Sequence, residues 1–238
     1  MTDAMIHVPA AALPLRPAPT ALRPLLGQQV LLVEDSRVAG EAIRLMCLRS
    51  GARIRRADTL AAASRHLTGW FPTVVIVDLG LPDGSGVDLI ERLHLGRPRI
   101  DAVIALSGDP ALAEAAIDAG ADAFIGKPVA SVGAFQEAVL AALPGSARPT
   151  GPRALDLSCV DVGDEAFRDD MAHAAALLND GPDVVGGAPP GYVARFLAGV
   201  AVSAGDEELR GVALAAAESD DPHVAEASLR ALVAARLS

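Results

Sequence analysis

The sequence predicts an α/β fold, a doubly wound five-stranded parallel sheet, followed by a small all-α helical domain. Three observations carry this expectation. Between residues 28 and 143, short apolar runs alternate five times with stretches of helical period. The runs are apolar throughout rather than at every second residue, as strands covered on both faces are. Beyond residue 154 no strand-like run recurs. Five strands alternating with five helices imply parallel neighbours, because parallel strands need crossover connections and the crossover helices must pack on the sheet.

Residues 1–26 carry Pro9, Pro14, Pro17, Pro19 and Pro24 among alanines and leucines. Proline at that density leaves no room for an uninterrupted helix, so this stretch reads as an extended arm, some of whose leucines pack on the body. The first strand is Val30-Val33, with a helix over 37–50. A weaker strand near 52–56 precedes a helix over 58–67. Val74-Val77 leads to a helix over 86–95, Val103-Leu106 to one over 110–118, and Ala123-Ile125 to one over 131–143. Together 27–144 form the α/β domain. Residues 145–153, rich in proline, glycine and serine, read as a linker. In 154–238, helices are expected near 163–179, 190–203, 206–218 and 222–237. Asp164, Asp206 and Asp221 are candidate N-terminal caps, and Pro222 suits a first helical turn.

At 238 residues and 51% hydrophobic the chain can build its cores without metal or disulfide staples. Cys47 and Cys159 lie far apart in no ligand spacing, which argues against a disulfide or zinc role and fits a reducing cytoplasm. No apolar run reaches the roughly 18 residues that read as a membrane span, so a cytoplasmic location and no membrane insertion are expected. The net charge of −10 resides in the last third: from Ala154 onward there are 15 acidic and 5 basic residues, against 15 of each before it. Such a segment repels a phosphate backbone, and no DNA contact is expected of it.

In an open parallel sheet, ligands gather at the carboxyl ends of the strands where the strand order reverses. Four of the predicted strands end suitably, at Glu34-Asp35, Asp78, Ser107 and Lys127-Pro128. Carboxylates at neighbouring strand ends repel one another unless a cation joins them, and an oxygen cluster open to water suits magnesium, with manganese as a substitute. Glu34, Asp35 and Asp78 therefore read as a magnesium site. Phosphoryl transfer asks little of a protein beyond an in-line nucleophile and positive charge on the equatorial oxygens. Asp78 supplies the first; the cation, Lys127 and the Ser107 hydroxyl supply the second.

The segments VLLVEDS, VVIVDLGLPDGSGVDLI, IALSGD and GADAFIGKP, in this order and spacing, resemble the receiver domain of two-component response regulators over about 28–143. Each element alone has a plainer reading: a strand-end Asp as a cap, a Lys-Pro as a loop, Phe124 as core. Placed on successive strand ends they outweigh it. The resemblance implies an acidic pair at Glu34 and Asp35, Asp78 as phosphoacceptor, Ser107 as switch hydroxyl, Lys127 as the family's lysine, and Phe124 as switch aromatic. It also implies a cis Lys127-Pro128 peptide and the Gly80 backbone carbonyl in the magnesium shell. The phosphoryl donor it implies is a histidine kinase or a histidine phosphotransfer protein. Asp109, before Pro110, reads as a turn residue.

The output of the last third is less legible. Its five arginines do not form a basic recognition helix. His173 and His223 lack a catalytic partner pattern. The remaining class is a helical interaction module, either a homodimerising one or one that meets an unknown, basic output protein. Its expected docking place is the apolar face of the helix at 131–143. The alternatives are a phosphate sink or shuttle with a structural tail, and a tail with cryptic enzymatic or phosphotransfer activity; the chain is otherwise not expected to be an enzyme.

Overall fold

The computed structural model describes residues 16–180, 191–219 and 221–237. The first fifteen residues of the proline-rich arm therefore lie outside the described residues. So do Pro190, where a helix start was expected, and the stretch before it.

The strands are β1 (Gln29–Val33), β2 (Arg53–Ala57), β3 (Val74–Asp78), β4 (Gly80–Leu81), β5 (Gly84–Ser85), β6 (Ala102–Ser107) and β7 (Ala123–Gly126). The helices are α1 (Arg37–Arg49), α2 (Leu60–Gly69), α3 (Gly86–Leu95), α4 (Ala113–Asp118), α5 (Val132–Ala142), α6 (Asp164–Asp180), α7 (Tyr192–Ala204), α8 (Glu207–Ala217) and α9 (Pro222–Leu237). Five strands form one parallel sheet in the order β2-β1-β3-β6-β7. The direction of strand progression reverses between β1 and β3, which opens a crevice at their carboxyl ends.

Both faces of the sheet are buried because successive side chains of each strand enter different cores. Val30, Leu32, Val74, Ile76, Ile104 and Leu106 face α1 and α5. Leu31, Val33, Val75, Val77, Val103 and Ala105 face α2 and α3. This two-sided burial explains why the three inner strands read as unbroken apolar runs. Strand β2, at the edge, alternates between exposed and half-buried positions over Arg53–Arg56 and keeps Arg53 and Arg55 exposed, a common guard against further strand pairing. From the arm, Leu25 is fully buried in the core beneath α1 and α5.

Two local features differ from the sequence reading. The 110–118 stretch splits into a 3-10 turn, Pro110–Leu112, and a short α4, because Asp109 accepts from the Ala111 amide and fixes a tight turn at Pro110. Between β3 and α3 the chain makes a two-residue antiparallel ladder, Gly80 opposite Ser85 and Leu81 opposite Gly84, too short to leave a period in the sequence.

The 145–153 segment follows a fixed path. Arg148 donates to the Leu143 carbonyl (2.9 and 2.7 Å) and the Ala141 carbonyl (3.0 Å), satisfying the last turn of α5. Arg153 reaches Gln136 (2.7 Å) and pairs with Glu137. The Val132 and Gly133 amides then donate to the carbonyls of Ser158 (3.0 Å) and Asp156 (2.6 Å). The chain is thus strapped along α5 from its end to its start. Gly133 is required there, since a Cβ would stand 2.9 Å from the Asp156 carbonyl oxygen.

The C-terminal helices bury Met171, Ala174, Leu178, Tyr192, Phe196, Leu197, Val200, Leu209, Ala213, Leu229 and Val233 together. Asp206 caps α8 through the Leu209 amide (2.9 Å) and ties it to α9 through two bonds from Arg236 (2.7 and 3.1 Å). Asp221 accepts from the His223 and Val224 amides (3.0 and 3.3 Å). Asp164, expected as a cap, is instead the first residue of α6. The expectation that these helices dock on 131–143 is corrected: α6 and α7 lie against α1, and α1 contributes Val38 to their core. The physical reason is that α5 spends its apolar face on the sheet core, through Val132, Phe135, Val139 and Leu140, while the strap takes its first turn.

Candidate functional site

Each strand end places its polar residue by the same means: the apolar run is held in register by its neighbours, and the first residue past it turns into the crevice. Glu34 and Asp35 follow β1, Asp78 ends β3, Ser107 ends β6, and Lys127 follows β7. Ligand oxygens of Glu34, Asp35 and Asp78 lie within 4.8 Å of one another. The Lys127 ammonium sits 2.6 Å from Glu34 Oε2 and 3.2 Å from Asp78 Oδ2, with all three side chains a tenth exposed or less. The Ser36 amide donates to Glu34 Oε1 (3.1 Å) and Asp35 Oδ1 (3.0 Å). Arg56 braces the loop behind, donating to the carbonyls of Glu34 (2.9 Å) and Asp35 (2.6 Å).

Three carboxylates facing one ammonium leave an excess of negative charge in a buried pocket. Burial pushes the Glu34 carboxyl well up, against the pull of Lys127, with Asp78 and Asp35 adding repulsion. Asp35 is raised by burial and by Asp78, against the bond from Tyr192. Burial disfavours the Lys127 ammonium, yet Asp78 and Glu34 outweigh it and hold its pKa above the ordinary lysine value. A site of hard oxygens with uncompensated negative charge fits a divalent cation such as magnesium. Within the protein Glu34 is engaged by Lys127 and Ser36, Asp35 by Ser36 and Tyr192, and Asp78 by Lys127.

Ser107 is buried, and its oxygen accepts from the Asp109 amide at 3.1 Å; its backbone carbonyl accepts from the Lys127 amide at 2.8 Å, which fixes β7 against β6. Phe124 is half-buried, packed against the core that faces α2 and α3. The Lys127-Pro128 peptide is cis. Gly80 is exposed on the small ladder, with nothing near the position of a Cβ. Gly86 faces the opposite demand: a Cβ there would stand 2.0 Å from the Asp78 carbonyl oxygen, so the start of α3 can approach the β3 end only as glycine.

Two residues at the site were not found from the sequence. The Tyr192 hydroxyl, from the first residue of α7, donates to Asp35 Oδ2. Asp170 of α6 is buried over the start of α1, accepting from Arg37 N (2.6 Å), Val38 N (3.0 Å) and Ser36 Oγ (2.9 Å). A signal for Asp170 existed: Phe167, Asp170, Met171, Ala174 and Leu178 recur at helical spacing, so this one carboxylate interrupts an apolar stripe.

Comparison with known proteins agrees with this geometry. Residues 30–139 match the family model described as "Response regulator receiver domain". The chain is 32% identical over 123 residues to the KDP operon transcriptional regulatory protein KdpE of Escherichia coli K12, covering 52% of this chain and 54% of that one. It is 32% identical over 157 residues to the transcriptional regulatory protein KdpE of Mycobacterium tuberculosis, covering 65% and 66%. The chain thus spans about half to two thirds of the length of these relatives. Among solved structures, a response regulator from Burkholderia pseudomallei with a phosphorylated aspartic acid, calcium ion and citrate is 28% identical, with a TM-score of 0.42, over 50% of this chain and 68% of that one. Residues 30–139 of this chain belong to the response-regulator receiver family.

Proposed function

We propose that this chain is a phosphorylation-switched regulator in which Asp78 accepts a phosphoryl group from a histidine kinase or a histidine phosphotransfer protein. The observation that carries this reading is the single cluster formed by Glu34, Asp35, Asp78 and Lys127 at the strand-order reversal. In the transfer, an Asp78 carboxylate oxygen attacks phosphorus and forms a mixed anhydride, while the bond from phosphorus to the donor imidazole breaks and the imidazole retains that electron pair. Lys127, already charged and buried against Asp78, stabilises the equatorial oxygens, and the Ser107 hydroxyl turns to donate to one of them. Glu34 and Asp35, together with Asp78 and the Gly80 carbonyl, would hold a magnesium ion, which supplies charge neutralisation for an anionic donor. Phe124, next to the Ser107 strand, is the aromatic whose packing follows that hydroxyl.

We assign 27–144 to the receiver, 145–153 to the strap and 154–238 to an output module that contacts protein. The relatives are named as transcriptional regulators, whereas the residues from 154 on hold 15 acids and 5 arginines. That balance favours a basic protein partner over duplex DNA. The test is phosphorylation of the full chain by a small acyl-phosphate donor with magnesium, read by intact mass. One phosphoryl group is expected in the wild type and none in Asp78→Asn or in chelator. Undiminished labelling of Asp78→Asn would overturn the assignment.

A further inference from the structure

The C-terminal helices do more than cover the receiver; one of their side chains enters the acidic cluster. Tyr192 opens α7, its ring 2% exposed and stacked on Phe196 at 5.9 Å between centroids. Its hydroxyl reaches out of that core to Asp35 Oδ2. The same helix packs against β4, which contains Gly80. The placement of α7 is set by Val38, shared with the helical core, and by Asp170 bound over the start of α1. The phenol therefore links the position of the helical layer to one carboxylate of the cluster.

We propose that Tyr192 and a divalent cation compete for Asp35, so that filling the acidic cluster loosens the α6 to α9 layer from the receiver. This rests on the reading of Glu34, Asp35 and Asp78 as a cation site. A phenol donating to a carboxylate presents the positive end of its O–H dipole to that oxygen. A cation brought to the same carboxylate repels that hydrogen and withdraws the charge that held it. Coupling of this kind is reciprocal: whatever affinity the phenol removes from the cation, the cation removes from the docking of Tyr192. A hydrogen bond to a charged group carries enough free energy for such coupling to reach about tenfold. The distinctive claim is antagonism, since a tyrosine that merely positioned Asp35 for the cation would strengthen binding.

The full chain is titrated with magnesium chloride by calorimetry, without any phosphoryl donor, as wild type, Tyr192→Phe and Asp35→Asn. Tyr192→Phe keeps the buried ring and is expected to bind magnesium about tenfold more tightly; Asp35→Asn is expected to lose binding. Because Tyr192 is the only tyrosine in the sequence, wild-type protein labelled with 13C at the tyrosine ζ carbon gives one resonance. That resonance is expected to move saturably with the same dissociation constant, a readout that does not depend on any variant folding. Equal or weaker binding by Tyr192→Phe, or a tyrosine signal unmoved at saturating magnesium, would overturn the competition while leaving the cation site standing. Saturable binding in neither wild type nor Tyr192→Phe would overturn the cation site and the competition with it.

Discussion

Asp170 makes a quantitative demand on the contact between the two halves. An α-helix begins with four amides that have no partner inside it. In α1 all four are satisfied. Ser36 N donates to Glu34 Oε1 (3.1 Å) and Asp35 Oδ1 (3.0 Å), Ala39 N to Ser36 Oγ (3.1 Å), and Arg37 N and Val38 N to Asp170 (2.6 and 3.0 Å). Half of this cap therefore comes from a residue more than 130 positions away. In Asp170→Ala two amides lose a charged acceptor in a buried place, at roughly 1–3 kcal/mol each, and the helix dipole loses a carboxylate worth up to about 2 kcal/mol. Burial of that carboxylate, which raises its pKa despite its three bonds, offsets part of the loss. The net is about 3 kcal/mol, or roughly a hundredfold in a local opening equilibrium. Amide-resolved hydrogen exchange reads this directly: protection of Arg37 and Val38 should fall about a hundredfold in Asp170→Ala, with the β3 and β6 amides little changed. Protection of those two amides within threefold of wild type would refute the reasoning.

Other substitutions probe the site and the helical layer. Lys127→Ala leaves Glu34 and Asp78 buried without their countercharge, so chemical denaturation should find about 3–5 kcal/mol less stability; a loss below 1 kcal/mol would mean that water already screens the cluster. Gly86→Ala drives a methyl into the Asp78 carbonyl, and overpacking of about 3 kcal/mol should lower the melting temperature by roughly 6–12 °C and slow phosphorylation, whereas an unchanged melting curve would show that α3 shifts freely. Asp206 is held below the usual carboxylate range by its bonds from Arg236, against burial. Its contribution is therefore present above the unfolded carboxylate pKa of about 3.9 and lost as pH falls through the lower folded value. Asp206→Asn keeps a capping oxygen and should give a flatter stability profile below about pH 4; profiles of equal slope would remove the pair as a contributor.

Much of the receiver was legible because its inner strands are buried on both sides. Val30-Val33, Val74-Val77 and Val103-Leu106 had to be apolar at every position, so each polar residue that followed marked a strand end and a site position. The Gly80–Ser85 ladder and the split at Pro110 were not legible, since two or three residues carry no period. The docking of the helical layer was misplaced for a different reason. The apolar face of 131–143 looked vacant in the sequence, but Val132, Phe135, Val139 and Leu140 are spent on the sheet core, and the segment that follows takes the helix ends through Arg148, Arg153 and two backbone carbonyls. Tyr192 left no signal, because a tyrosine at a helix start among alanines reads as core, and its ring is core; only its hydroxyl belongs to the site. Asp170 was passed over because 15 acids crowd the last third, and among the described residues most of them do face water.

The strap along α5 also sets how far the helical layer can travel. Before α6 begins at Asp164, the strap's last hydrogen bond to the receiver is from the Cys159 thiol to the Ala130 carbonyl, at 3.2 Å. The four residues between them, 160–163, span at most about 14 Å when fully extended. A layer that lifts from α1 is therefore held near its own docking surface at a local concentration in the millimolar range. Detachment on such a leash is brief and quickly reversed, so a binding partner must capture the opened surface in place or already be resting beside it. On the function proposed above, selectivity of output would depend on what is assembled near the receiver before phosphorylation, as much as on the affinity of the exposed face.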